Sequence, residues 1–436
     1  VRFLCLPRGT FPALAAIALV SCGHLGIDLE GSGGAGAASG SGGEPSSGGT
    51  AATSGGESGG GDGGGTATGG VPADGGASGS GGESASGGAA ESGGAAGSGG
   101  SPGSGGEPGS GGSGPCEGHT SVDLSLMGWA TEAGGTTGGK GGTTTTAWAG
   151  AQIIQALQNK DPQTPLTILI ASDINPANTN DVKIDIVDVQ DVSIIGEENR
   201  GVLNGIGLRI LRAKNIVIRN LHIHHVDIGE GDAIGLAGPS DHIWVDHCEL
   251  DADFEGSVAG TYDGLIDAKN DVAYVTYSWN HIHDTWDALL VGATETDTFD
   301  RKLTLHHNWI ENIDSGAPSF RGGSGHVFNN LFQEIDTIAI NTRIDACLRV
   351  ENNVFENVRN PWASAYSTVL GGVDLVCNKV DSGSSFDFSS ADISEATACE
   401  ASVPYDYASV LTAAESVKSI VMDNVGIGKL ADPEDF

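Results

Sequence analysis

Val275-Thr276-Tyr277-Ser278-Trp279-Asn280-His281-Ile282 is the stretch that decides the fold. A β-branched and aromatic run reaches an asparagine and restarts at once as a second short run. The unit recurs as Ile216-Val217-Ile218-Arg219-Asn220-Leu221-His222-Ile223, as Leu303-Thr304-Leu305-His306-His307-Asn308-Trp309-Ile310, as Val327-Phe328-Asn329-Asn330-Leu331-Phe332 and as Leu348-Arg349-Val350-Glu351-Asn352-Asn353-Val354-Phe355. Trp244-Val245-Asp246-His247-Cys248 belongs to the same series, with His247 at the asparagine position. Successive markers lie 27, 33, 28, 22 and 23 residues apart. A recurrent bend at irregular spacing predicts an all-β chain wound as a parallel β-helix, in which each coil adds strands to long sheets and extra residues leave as loops. Asparagine tolerates the left-handed backbone of a sharp bend, and stacked asparagines can hydrogen-bond from coil to coil. A leucine-rich repeat would need helix-forming stretches between the units, and these are missing. The clearest helical pattern, Ala147 to Lys160, puts Ile153, Ile154 and Leu157 on one face. It precedes the repeats and predicts a helix capping the open N-terminal end, where bare sheet backbone would invite aggregation.

Upstream the composition changes. Residues 31–114 are almost entirely Gly, Ser, Ala, Thr, Pro, Glu and Asp, with no Lys or Arg and Val71 as the one large apolar side chain. Such a segment cannot bury enough apolar surface to offset its chain entropy and is expected to be a disordered Gly/Ser-rich linker. Before it, Arg2 and Arg8 form a basic stretch ahead of a short apolar run, Phe11 to Val20, which leads into Leu19-Val20-Ser21-Cys22. This tetrapeptide resembles a bacterial lipobox, which implies lipidation at Cys22; a plain secretory signal is the alternative. The expected organisation is a leader over 1–22, a linker over 23–114 and a β-helix domain over 115–436. The expected location is secreted or cell-surface, with the membrane reached only through an N-terminal lipid anchor.

The β-helix domain carries 18 basic and 47 acidic residues. That excess of negative charge argues against nucleic acid as a partner, and a polyanionic sugar would need bridging cations. A monomer is expected. Of the seven cysteines, Cys116, Cys248, Cys347, Cys377 and Cys399 fall in this domain. An exported compartment permits disulfides. Cys377–Cys399 is the expected pair, since both flank a loop-like segment rich in Ser and Asp. No zinc-type cysteine spacing occurs.

Asp246, Asp263 and Asp267 sit among strand-like runs, and hard oxygen ligands on rigid strands suit calcium. Around them lie Gly128-Trp129-Ala130-Thr131, Trp244-Val245-Asp246-His247-Cys248, Asp263-Gly264-Leu265-Ile266-Asp267, Leu290-Val291-Gly292, Gly325-His326-Val327-Phe328-Asn329-Asn330 and Asn341-Thr342-Arg343. In this order, across residues 120–375, they resemble the pectate lyases of polysaccharide lyase family one. The resemblance implies a right-handed parallel β-helix that cleaves polygalacturonate by β-elimination. It implies calcium as cofactor with Asp246, Asp263 and Asp267 as ligands, an acidic polysaccharide such as polygalacturonate as partner, and an arginine as base.

Two positions depart from the family pattern. A lysine is expected five residues before Gly292, and Asp287 stands there; the base arginine falls on Gly316. Arg321, whose counterpart lies at the family's site, becomes the catalytic candidate. Arg343, His283 and Trp286 are the substrate-binding candidates, Trp286 by stacking on sugar. The pair His222 and His224 shares one strand face and could ligate a metal, with a groove or surface role as the alternative. The expected function is a calcium-dependent pectate lyase, weakened at its base. A non-catalytic carbohydrate-binding protein, or a lyase or hydrolase for another acidic polysaccharide, are the readings beside it.

Overall fold

The computed structural model describes residues 116, 118–254, 256 and 260–436. The leader, Cys22 and the linker lie outside them. The described chain is a parallel β-solenoid of about ten turns, built from three sheets of 11, 9 and 9 strands. The first sheet runs from Thr143–Ala147 to Thr397–Ala398 and includes Ser240–Asp246, Val272–Ser278 and Lys302–His306. The second includes Ile234–Ala237, Ile266–Lys269, Leu289–Val291, Ser319–Arg321 and Ile340–Arg343. The third includes His222–His224, Glu249–Asp251, His281–Asp287 and Trp309–Ser315. Pairing among the described strands is parallel except where Ile393–Ser394 closes the second sheet antiparallel to Trp362–Ala365, and a lone antiparallel bridge joins Arg343 to Leu370.

Register explains the core. Ile168, Ile194, Ile218, Val245, Tyr277, Leu305, Val327 and Val350 occupy one row of the first sheet, one per coil. Leu203, Ile223, Leu250, Ile282, Ile310, Phe332 and Phe355 do the same in the third. Because strands stack about 4.8 Å apart, each apolar residue lies on its counterpart in the next coil and both leave water together.

The asparagine ladder is present, one residue away from where two of its markers place it. Asn280, Asn308, Asn330, Asn353 and Asn378 are linked side chain to side chain at 2.9 to 3.0 Å. Cys248 holds the equivalent position, its amide donating to Asn280 Oδ1 at 2.9 Å. Asn220 and His247 occupy the preceding row, with Trp279, His307, Asn329, Asn352 and Cys377, and that row has the left-handed backbone. Bend and ladder are separate positions: one residue turns the chain, and the next satisfies the buried backbone groups of the turn.

The expected helix spans Gly150–Gln158, with Ile153 and Leu157 buried in the main core and Ile154 half-buried. A C-terminal helix, Ala414–Asn424, has no counterpart in the sequence reading; its Val417 and Val421 pack with Leu331, Val354 and Trp279. The disulfides are Cys116–Cys377 and Cys347–Cys399, and Cys248 is free and buried. The expected Cys377–Cys399 pair is therefore incorrect. Cys347 begins a first-sheet strand, whereas Cys377 follows the end of the next one, Gly372–Val376, so the two stand at opposite ends of the sheet. Cys399 lies by the first of those ends.

Candidate active site

A cluster of carboxylates lies on the outer face of the second sheet. In that sheet Gly235, Asp267 and Leu290 share one row, flanked by core residues Leu236, Ala268 and Val291. Alternation along Ile266–Lys269 turns Asp267 and Lys269 outward. Asp232 and Asp263 each come from the segment leading into a second-sheet strand. The three carboxylates, Asp232, Asp263 and Asp267, offer oxygens all within 4.8 Å of one another. Lys269 Nζ reaches Asp267 Oδ2 at 2.8 Å, Asp232 Oδ2 at 3.2 Å and Asp263 Oδ2 at 3.9 Å.

Space for the cluster comes from glycines. A methyl group on Gly264 would stand 2.3 Å from Asp267 Oδ1, and one on Gly235 would stand 3.0 Å from Asp232 Oδ2. Burial pushes the Asp232 carboxyl up to about 8, reinforced by Asp267 and Asp263 and opposed by Lys269. Burial likewise raises Asp267 to about 6, against the pull of Lys269. Three carboxylates share one ammonium, and Asp267 Oδ1 is buried with no hydrogen-bond partner. Clustered hard oxygens with unneutralised charge and an orphaned acceptor fit a calcium ion.

Asp246 is not part of this cluster. It lies in the first sheet, fully buried, with Arg219 Nε at 2.8 Å, His247 Nδ1 at 2.7 Å and Ser278 Oγ at 2.6 Å. Burial alone would raise its pKa; His247 and Arg219 hold it below the usual carboxylate range. Its oxygens are already occupied, and the carboxylate that stands beside Asp263 and Asp267 is that of Asp232. Asp232 and Lys269 are the residues the sequence reading missed. The Asp-Ala-Lys alternation at 267–269 was the signal for Lys269.

Arg321 and Arg343 face each other across neighbouring second-sheet strands. Arg321 Nη1 donates to the Gly292 carbonyl at 2.7 Å, and its Nε lies 3.5 Å from Glu295. Arg343 Nε donates to the Ala365 carbonyl at 2.6 Å, its guanidinium 5.9 Å from the Tyr366 ring. Burial lowers both, Arg343 to about 10. His283 and Trp286 belong to the third sheet. His283 contacts Asp284, and Trp286 packs edge-on against Phe254 at 4.8 Å. Asp287 ends the same strand at the corner between the two sheets, where Ser315 Oγ donates to its Oδ1 at 3.0 Å. It is open to water along one side but crowded by protein on the others. This loss of solvation, with Asp314 and Asp263 nearby, raises its carboxyl to about 6.

The sequence profile of pectate lyases matches residues 119–430. The pectate trisaccharide-lyase of Bacillus licheniformis is 46% identical over 315 residues, spanning 71% of this chain and 88% of that protein. The chain belongs to the pectate lyase family. The probable pectate lyase A of Aspergillus flavus is 36% identical over 280 residues, covering 63% of this chain and 80% of its own length. Among solved structures, a pectate lyase from Bacillus sp. N165 in complex with trigalacturonate superimposes with a TM-score of 0.65 at 34% identity, over 70% of this chain and 99% of that one. Within this pectate lyase fold the corner beside Asp287 carries Gly316, with φ of 77°. Its amide donates to the Ile338 carbonyl at 3.2 Å. Neither position offers the positive charge that the family pattern expects there.

Proposed function

We propose that this protein is an exported, calcium-dependent lyase of polygalacturonate, working by β-elimination at a rate reduced by Gly316 and Asp287. The observation that carries the reading is the grouping of Asp232, Asp263 and Asp267 within 4.8 Å beside Lys269 on one sheet face. Asp232, Asp263 and Asp267 would hold the ion. Bound calcium supplies electron withdrawal from the uronate carboxylate, which acidifies the proton at C5. Elimination then moves that proton to a base, breaks the C4–O bond to the next sugar, whose departing oxygen takes a proton from water, and leaves a C4–C5 double bond. Lys269 and Arg343 supply the positive charge along the second sheet that binds the remaining uronates. Arg321 is the group we assign as proton acceptor. Its lowered pKa runs in the direction a neutral guanidine requires, while its bonds to Gly292 and Glu295 fix its position.

The two disulfides suit an oxidising compartment. Lipidation at Cys22 and a tether over 23–114 complete the reading as a surface enzyme. The test is absorbance of the unsaturated product after incubation with polygalacturonate, with calcium and with a chelator. Calcium-dependent product that is lost in Asp232→Asn is expected. Saturable binding without product at any alkaline pH would overturn the lyase reading and leave a carbohydrate-binding protein.

A further inference from the structure

Histidines outside the carboxylate cluster gather on the third sheet. His222, Glu249 and His281 share one register row, and His224, Asp251 and His283 share another, two residues along the same strands. Residues two apart on a strand share a face, so the sequences His-x-His, Glu-x-Asp and His-x-His present six ligand groups to one surface. They form two triads, each with donor atoms within 4.8 Å. In the triad of His222, His224 and Asp251 the gap is closed, since His222 Nε2 lies 2.6 Å from Asp251 Oδ1.

The triad of Glu249, His281 and His283 is open. His283 Nε2 is buried without a hydrogen-bond partner and stands 3.7 Å from Glu249 Oε1. That is too long for a hydrogen bond. It is close to the roughly 3.4 Å that separates a nitrogen and an oxygen ligand across a tetrahedral zinc ion. The other ring nitrogen, His283 Nδ1, lies 2.7 Å from Asp284 Oδ2, the carboxylate–histidine pairing that orients a zinc ligand. Glu311 Oε1 steadies His281 through Nε2 at 3.0 Å. The side chains of Glu249, His281 and His283 remain 30%, 18% and 15% exposed, which admits an ion and a water as fourth ligand.

We propose that Glu249, His281 and His283 form a site for a transition-metal dication of the zinc class, separate from the carboxylates of the groove. Imidazole with one carboxylate selects such a metal over calcium. Binding displaces any proton on His283 Nε2, leaves the Nδ1–H donated to Asp284, and ties two third-sheet strands together. The test is calorimetric titration of zinc into the metal-stripped full chain saturated with calcium. One saturable zinc site is expected, weakened about tenfold or more in Glu249→Gln and in His283→Gln, with circular dichroism melts confirming that both fold. His222→Gln and Asp267→Asn are expected to keep it. No saturable zinc binding, unchanged affinity in the first two variants, or loss in either of the last two would overturn the assignment.

Discussion

Gly316→Arg places a guanidinium at the corner where the family pattern puts its base, and the structure says what that costs. A Cβ on Gly316 would meet Ser319 Oγ at 3.4 Å, the Leu289 carbonyl at 3.5 Å and the Ala288 amide at 3.8 Å, all ordinary contacts. There is room, and the penalty is conformational: a side chain at φ of 77° costs about 1–2 kcal/mol. Part of this is offset by a less flexible unfolded chain, by about 0.4–1 kcal/mol. Tyr274, Trp279 and His307 already hold positive φ in this solenoid, so the fold accommodates such corners. A melting temperature lower by about 2–4 °C is expected. The gain, if the corner lacks only its base, is that of general base catalysis, about 10²–10⁴-fold in turnover. Asp287→Lys should add to it, because Asp287 opposes both a polyanionic substrate and the Asp263 and Asp267 charges. The assay is the initial rate of unsaturated product on polygalacturonate at saturating calcium, with the calcium midpoint measured for each variant. A folded Gly316→Arg, Asp287→Lys double variant that binds calcium and is no faster than wild type would refute the reasoning.

Four other outcomes are expected. Asp232→Asn should greatly weaken the rise in melting temperature on adding calcium. Asp246→Asn should keep that rise but destabilise the protein by about 3–5 kcal/mol, because it strands the buried Arg219 charge; melting with and without calcium checks both. Asn308→Ala removes a side chain that bonds Asn280, Tyr277, His306 and Asn330. It should cost about 3 kcal/mol in urea denaturation, more than Asn378→Ala at the half-buried end of the ladder. Burial would raise Glu351, but His326, Tyr407 and Arg349 hold it at about 2. A carboxylate depressed on folding stabilises the protein above its unfolded value near 4.5, and that contribution fades as pH falls toward 2. Wild type should exceed Glu351→Gln by roughly 3 kcal/mol at neutral pH, and a gap that did not close in acid would contradict the assignment.

The solenoid was legible because its physics repeats. Every coil must bury an apolar row and turn a corner, so the same residue types recur and their order survives variable loops. The register was less legible. Asn220 and Asn280 look alike in sequence, yet one supplies the left-handed bend and the other the ladder, one row apart. Only strand pairing distinguishes a residue that bends the backbone from one that satisfies it. The helix over Ala414–Asn424 was lost for another reason: its stability comes from Val417 and Val421 docking on the third sheet, a tertiary effect that its own sequence does not announce. Disulfide choice failed similarly, since proximity along the chain says nothing about which end of a strand a cysteine occupies.

The site follows a charge argument that sequence spacing could not make. Asp246 stands in a motif as regular as that of Asp263 and Asp267, and by pattern alone the three form a set. Their partners separate them. Asp246 is neutralised by Arg219 and hydrogen-bonded by His247 and Ser278, so no charge is left for a cation to meet. Asp232, Asp263 and Asp267 hold three carboxylates against Lys269, and Asp267 Oδ1 has no partner at all. A buried carboxylate without compensation is costly, and a chain that keeps two of them nearly dry beside a third is built around something that supplies positive charge. The same test applied to Asp287 gives a different answer: it has only Ser315 and lies within reach of Asp263, Asp314 and Arg343. It therefore adds negative charge at the corner where the proposed function brings a uronate. On the proposed reading, the carboxylate cluster and the corner at Asp287 and Gly316 are under separate control, so that calcium binding would be complete even where turnover is slow.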